Sequence, residues 1–137
     1  MLLCITRYFS VSFYFASYLA LQGSGMVSTS TQMLKGVLDG CLLAVIARGE
    51  TYGYEMIEKL EAFGFHMVSE GSIYPVLLRM QKEEWVSTMM KASPTGPQRK
   101  YYSITNKGKE MLITFQSKWL ELSQAVHQVL DYPLEEE

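Results

Sequence analysis

The sequence predicts a mainly α-helical domain carrying one β-hairpin, and three observations predict it. Apolar residues recur at helical spacing in three successive stretches, 34–46, 56–63 and 73–80. The period then turns strand-like over 85–91 and 101–104, on either side of a stretch rich in proline and glycine. A last helical pattern, over 112–129, is spaced like a heptad seam. The chain has 137 residues, 48% hydrophobic and 19% charged. That is one compact globular domain, not a disordered chain.

The first helix is read from Met33 to Arg48. Leu34, Val37, Leu38, Cys41, Leu42, Val45 and Ile46 form a broad apolar stripe, which makes this helix central to the core. Lys35 and Asp39, four apart, lie on its polar side, and Gly49 ends it where a left-handed cap is common. Tyr52-Gly53-Tyr54-Glu55 opens a second helix, with Met56, Ile57, Leu60 and Phe63 expected inward. Residues 64–68 connect it to a third. This is the spacing of a tri-helical helix-turn-helix unit.

The third helix organises the rest. It runs through Glu70-Gly71-Ser72-Ile73-Tyr74-Pro75-Val76-Leu77-Leu78-Arg79-Met80. Gly71 permits a turn, Ser72 is placed to cap, and Pro75 is expected in the first turn. Ile73, Leu77 and Met80 share one inward face. Ser72, Tyr74, Arg79 and Lys82 fall outside it. A tyrosine hydroxyl and an arginine on an exposed helix suit phosphate oxygens and base edges. A capped surface helix has the same look in isolation, so the flanking segments decide.

After Glu84, Trp85–Lys91 and Tyr101–Ile104 are rich in strand formers. Between them Ser93-Pro94-Thr95-Gly96-Pro97-Gln98 is expected to be an unpaired loop, with Arg99 and Lys100 at its edge. A hairpin directly after a helix-turn-helix unit is a wing. The fold class is therefore mainly α with a β-hairpin wing: a winged helix-turn-helix plus a long C-terminal dimerisation helix. Charge agrees. The formal net charge is −2, yet from Gly71 to Lys109 seven bases stand against two acids, Glu83 and Glu84. Acid collects instead at Asp131 and Glu135-Glu136-Glu137. A basic segment in an otherwise acidic chain is the electrostatic footprint of a DNA reader.

Leu34-Lys35-Gly36-Val37-Leu38-Asp39, Tyr52-Gly53-Tyr54-Glu55, the run from Gly71 to Met80, and Gly96-Pro97-Gln98-Arg99-Lys100-Tyr101-Tyr102-Ser103-Ile104-Thr105 followed by Lys107-Gly108 occur in the order and spacing of one family. From about Met33 to Leu130 the chain resembles PadR-family transcriptional regulators, and its single terminal helix resembles their smaller subgroup. The family often has Thr where this chain has Ser72, and Gly where it has Glu84. The resemblance implies a sequence-specific DNA-binding regulator, a ligand-responsive repressor reading an inverted-repeat operator on double-stranded DNA as a homodimer. The DNA-binding set is Lys35, Ser72, Tyr74, Arg79, Lys82, Arg99 and Lys100. The alternative is a winged-helix module used only for protein contacts, which predicts no salt-dependent binding to duplex DNA.

Thr105 caps the last helix, and Leu112, Phe115, Trp119, Leu122, Val126 and Val129 alternate three and four apart along it. Part of this seam must cover the winged unit. The remainder has no partner in so short a chain, so Phe115, Trp119, Leu122, Val126 and Val129 are assigned to the dimer interface. Phe115 and Trp119, four apart, meet their symmetry mates there and offer aromatic walls to a planar aromatic small molecule. The resemblance adds that in multidrug-responsive members a tryptophan at the matching place on the last helix stacks on drugs at the dimer interface. Trp119 has the corresponding spacing from Thr105 and Gly108. Packing alone explains an interface tryptophan equally simply.

Residues 1–30 read as a hydrophobic leader and linker outside the domain, 31–106 as the winged unit, 107–132 as the dimerisation helix, and 133–137 as an acidic tail. Met1–Leu21 is apolar with Arg7 its only charge, and Thr6, Ser10, Ser12 and Ser17 interrupt it. It is weighed as a leader artefact against a membrane anchor or a secretory signal. The domain itself is expected to be cytoplasmic, away from membranes, and to need neither cofactor nor metal. Cys4 and Cys41 make no metal pattern, and Cys41 is expected buried and reduced. His66 and His127 stand alone, adjacent Glu83 and Glu84 diverge around a helix, and no phosphate loop is present, so no enzyme is read here.

Overall fold

The computed structural model of the chain describes residues 26–133. The leader up to Gly25 and the tail from Leu134 lie outside the described residues. Among those described, no helix is long and apolar enough to cross a membrane. The chain divides into two compact units, Met1–Gly36 and Val37–Glu137. The second holds the winged fold.

Helix α1, Met26–Ala47, begins seven residues before the expected Met33. The polar run Ser28-Thr29-Ser30-Thr31-Gln32 carries no apolar period, so periodicity had nothing to detect there. Leu34 is buried on α1, as are Leu38, Leu42, Leu43, Val45 and Ile46 further along it. Val37 and Cys41 are half-buried. Burial pushes the Cys41 thiol up, which keeps it protonated and a poor nucleophile.

A two-residue strand, β1 (Thr51–Tyr52), precedes α2 (Gly53–Ala62). It is too short to show an alternation in sequence. Thr51 is fully buried and donates its hydroxyl to Glu55 Oε2 at 2.9 Å. Lys59 Nζ bridges Glu55 at 2.8 Å, and this hydrogen bond is the main reason the carboxyl is held below its ordinary range. Met56 and Leu60 fill the core as expected. Phe63 does not: it is the C-cap residue past the helix end, 62% exposed, with the Arg48 guanidinium 4.9 Å from its ring centre.

Helix α3, Glu70–Lys82, also starts earlier than expected, with Ser69 rather than Ser72 at the N-cap. The Ser69 carbonyl accepts from both Ser72 N (2.9 Å) and Ile73 N (3.1 Å). Ser72 lies inside the helix, with its hydroxyl 3.2 Å from that of Ser69. Pro75 therefore falls beyond the first turn. The carbonyl it cannot serve is that of Gly71, and both residues are exposed, so water can satisfy it. Ile73, Leu77 and Met80 are fully buried.

The wing is longer than its sequence implied. Strands β2 (Val86–Ser93) and β3 (Gly96–Ile104) pair antiparallel around a Pro94-Thr95 turn, and β1 adds to β3 in the order β1-β3-β2. The expected loop thus contracts to two residues. Pro97 is tolerated in β3 for two reasons. The register shifts between Lys91 and Ser93, opposite it. And β1 reaches only Tyr101 and Tyr102, so the other edge of β3 is open at Pro97.

Helix α4, Asn106–Leu130, is locked to the wing at its start. The Thr105 hydroxyl accepts from Gly108 N at 3.0 Å and reaches the Glu84 and Trp85 carbonyls at 2.7 and 3.0 Å. Thr105 N donates to the Trp85 carbonyl at 3.0 Å. The same turn holds Glu84 at φ 62, a left-handed conformation that costs a side-chain-bearing residue about 1 kcal/mol. Glu84→Gly should therefore raise stability by about 0.5–1 kcal/mol and Tm by about 4 °C. Thermal unfolding checks this; an unchanged or lowered Tm would show that the turn is not strained. Further along α4, the Phe115 ring lies against Gly40, where an added Cβ would come within 2.0 Å of it.

Candidate nucleic-acid interface

Helix α3 buries the face made by Ile73, Leu77 and Met80 and leaves the opposite one open. Pro75, Leu78, Arg79 and Lys82 are exposed there, and Ser72 is half-buried. Tyr74 is 48% exposed, but its hydroxyl rests over Gly53 of α2, 3.1 Å from where a Cβ would stand. Tyr74 thus packs α3 on α2 as well as facing outward. It also lies near Tyr102, whose phenol is pushed up mainly by burial and further by Tyr74.

Charge pairing separates the bases of this surface into two kinds. Arg79 Nη2 bonds the Asp39 carboxylate of α1, and Lys91 of β2 bonds Glu50. Lys82, Arg99 and Lys100 have no acidic partner among the described residues. Alternation along β3 sends Arg99 and Lys100 to opposite faces of the sheet. Lys100 Nζ donates to Gln81 Oε1 at 2.8 Å and lies 5.7 Å from the Tyr102 ring centre, on the α3 side. Gln81 Nε2 also reaches Thr88 Oγ1 of β2 at 3.4 Å. Arg99 stacks over Tyr52 at 4.4 Å, with Nη2 at 3.4 Å from Thr95 Oγ1. The structure therefore brings Lys82, Lys100 and the C-terminal turn of α3 together and sets Arg99 on the far side of the wing. Lys35 is exposed on α1 in the other unit.

Sequence reasoning passed over Gln81, which ties wing to helix, and Tyr52, which carries Arg99. Neither has a local signal, since both act through pairings distant in sequence. Among the described residues no group of three or more His, Cys, Asp or Glu could hold a metal ion.

The family model for the PadR-like transcriptional regulators matches residues 42–113, more than half of the chain. A PadR-like transcriptional regulator from Bacillus cereus is 54% identical; the match covers 74% of this chain and 99% of that one, with a TM-score of 0.66. The chain belongs to the PadR-like family. A Streptococcus transcriptional regulator is 42% identical over 73% of this chain and 98% of its own (TM-score 0.65). A PadR-like transcription factor from Bacteroides fragilis is 32% identical over 74% and 98% (TM-score 0.62). The PadR match spans α2, α3 and the wing, and ends within α4, before Phe115. Trp119, Leu122, Val126 and Val129 lie beyond that match and are exposed. Phe115, by contrast, is half-buried on Gly40, so its ring serves the protomer's own packing.

Proposed function

We propose that this chain is a cytoplasmic homodimeric repressor that binds an inverted repeat in double-stranded DNA. α3 enters the major groove and the wing grips flanking backbone. One observation carries it: among the described residues, Lys82 and Lys100 beside the C-terminal turn of α3, and Arg99 on the outer face of the wing, have no acidic partner. Cations held free of carboxylates at a protein surface remain available to phosphates. Ser72 and the exposed part of Tyr74 flank the groove-facing side. Arg79 acts first as a strut to Asp39 and reaches DNA with its remaining donors, since its side chain is 52% exposed.

The test is Arg99→Ala in a salt titration of duplex binding. Affinity should fall for all sequences alike, and the slope of log K against log salt should flatten by about one unit. The fold should lose no more than about 1 kcal/mol from the Tyr52 stack. Unchanged affinity and slope would remove the wing from the interface. The absence of any salt-dependent binding to duplex DNA would favour a module that contacts only proteins.

Trp119 supports a second element of this proposal. It is 48% exposed on α4, beyond the part that Phe115 fixes to α1. Paired with its symmetry mate it would wall a site for a planar aromatic inducer, while Phe115 would form the floor. Such a ligand would favour a dimer whose two α3 helices no longer match the groove spacing. Titration with planar aromatic compounds should quench tryptophan fluorescence and release DNA in wild type but not in Trp119→Leu. Quenching that survives in the variant belongs to Trp85 and places the site elsewhere.

A further inference from the structure

The outermost ridge of α3 is not polar. At about 100° per residue, the direction opposite Ile73, Leu77 and Met80 is occupied by Gly71, Pro75, Leu78 and Lys82. All four are exposed, and Leu78 is 69% exposed. Gly71 and Pro75 carry no side-chain donor, and Lys82 is at the end of the helix, where it suits a phosphate. Arg79 and Gln81, the side chains of α3 best suited to bond one base with two hydrogen bonds, sit away from that ridge and are engaged within the fold, Arg79 by Asp39 and Gln81 by Lys100 and Thr88. Tyr74, also to one side, has its hydroxyl turned over Gly53. The centre of the ridge is thus smooth and apolar, between flanks that are charged or aromatic.

An exposed leucine on the outer face of a DNA-reading helix has one well-matched group in the major groove, the C5-methyl of thymine. Apart from the cytosine C5–H, which offers less apolar surface, the other base-edge groups there are hydrogen-bond donors or acceptors that Leu78 would leave unsatisfied. The two small positions before it, Gly71 and Pro75, let the helix approach closely enough for that contact. Resting on the DNA-binding function proposed above, we infer that Leu78 is a specificity-determining residue that reads a thymine methyl at one position in each half-site.

The experiment uses the full chain and a duplex selected by the wild-type protein from a randomised pool. Each thymine of that duplex is replaced in turn by deoxyuridine, which removes only the methyl. At one thymine per half-site the replacement should weaken binding about fourfold, and about 15-fold when made in both halves, from the loss of one buried methyl each. Leu78→Ala should bind the thymine and deoxyuridine duplexes equally and keep the wild-type salt slope. Leu78→Gln, a second exposed substitution, should move the preference at that position toward adenine. The inference is overturned if no thymine is sensitive to the replacement, or if Leu78→Ala keeps the wild-type ratio. A wild-type chain that selects no duplex and shows no salt-dependent binding would overturn the DNA-binding function itself, and this inference with it.

Discussion

A chain carrying Leu122→Glu and Val126→Glu is expected to be a folded monomer that no longer holds its operator. The two residues are 58% and 45% exposed in the protomer, so a carboxylate at either place meets water and leaves the fold intact. In a dimer closed along this seam the symmetry axis doubles every substitution, and four carboxylates would lose their water with no cation opposite. Lys118, the base of this stretch, is already paired with Glu121 at 3.0 Å. Desolvating unpaired charges costs several kcal/mol each, so the dimer should weaken by about 1000-fold or more. Operator affinity should fall by about 100-fold or more, because the second half-site is then no longer held at high effective concentration. Sedimentation and duplex titration read the two effects. A surviving dimer would mean that the exposed stripe of α4 is not the interface, and an unaltered circular-dichroism spectrum secures the comparison.

Gly108→Ala should be the most destabilising single methyl that can be added to this protein. Gly108 is buried at the start of α4, and a Cβ there would stand 2.0 Å from the Trp85 carbonyl oxygen and 2.8 Å from Ile104 Cγ1. The first obstacle is backbone, held by Thr105 N and within reach of the Thr105 hydroxyl, so it cannot turn aside as a side chain would. Relief requires moving α4 off the wing, which breaks the cap as well. Overpacking and cap loss together should cost about 3 kcal/mol or more. The corresponding fall in Tm is about 10 °C or more, read by calorimetry. A loss under about 1 kcal/mol would show that α4 is not locked at this turn. Gly40→Ala meets a different obstacle, the Phe115 ring. A ring can shift, so that variant should be the milder of the two and should loosen the seating of α4 on α1.

Much of this protein is readable from its sequence because its core follows simple periods. The stripes of α1 and α3 are set by backbone geometry, and burial of Leu38, Leu42, Val45, Ile46, Ile73, Leu77 and Met80 follows from spacing alone. The family motifs, taken together, are equally local. Local signals failed where local rules compete with distant partners. Ser72 and Pro75 look like a helix start, yet Ser69 is better placed because its carbonyl takes two amides. The proline-rich run of the wing looks unpaired, yet the register shift opposite Pro97 and the open edge of β3 let it enter the strand. Strand β1 exists only because β3 offers it an edge.

The candidate site divides in the same way. That bases concentrate between Gly71 and Lys109 is fixed by composition. Which of them remain free is not, because their acidic partners come from elsewhere in the chain: Asp39 for Arg79 and Glu50 for Lys91. Pairing across forty residues leaves no trace in spacing. Likewise the heptad seam on α4 is written in the sequence, but its division is not. Gly40 draws Phe115 into the protomer, while Trp119, Leu122, Val126 and Val129 stay exposed. The sequence by itself determined the elements, their faces and the family, since each depends on residues a few positions apart. Only the tertiary structure decided which charges are spent within the fold and which part of the last helix is left for a partner, because those depend on who meets whom across it.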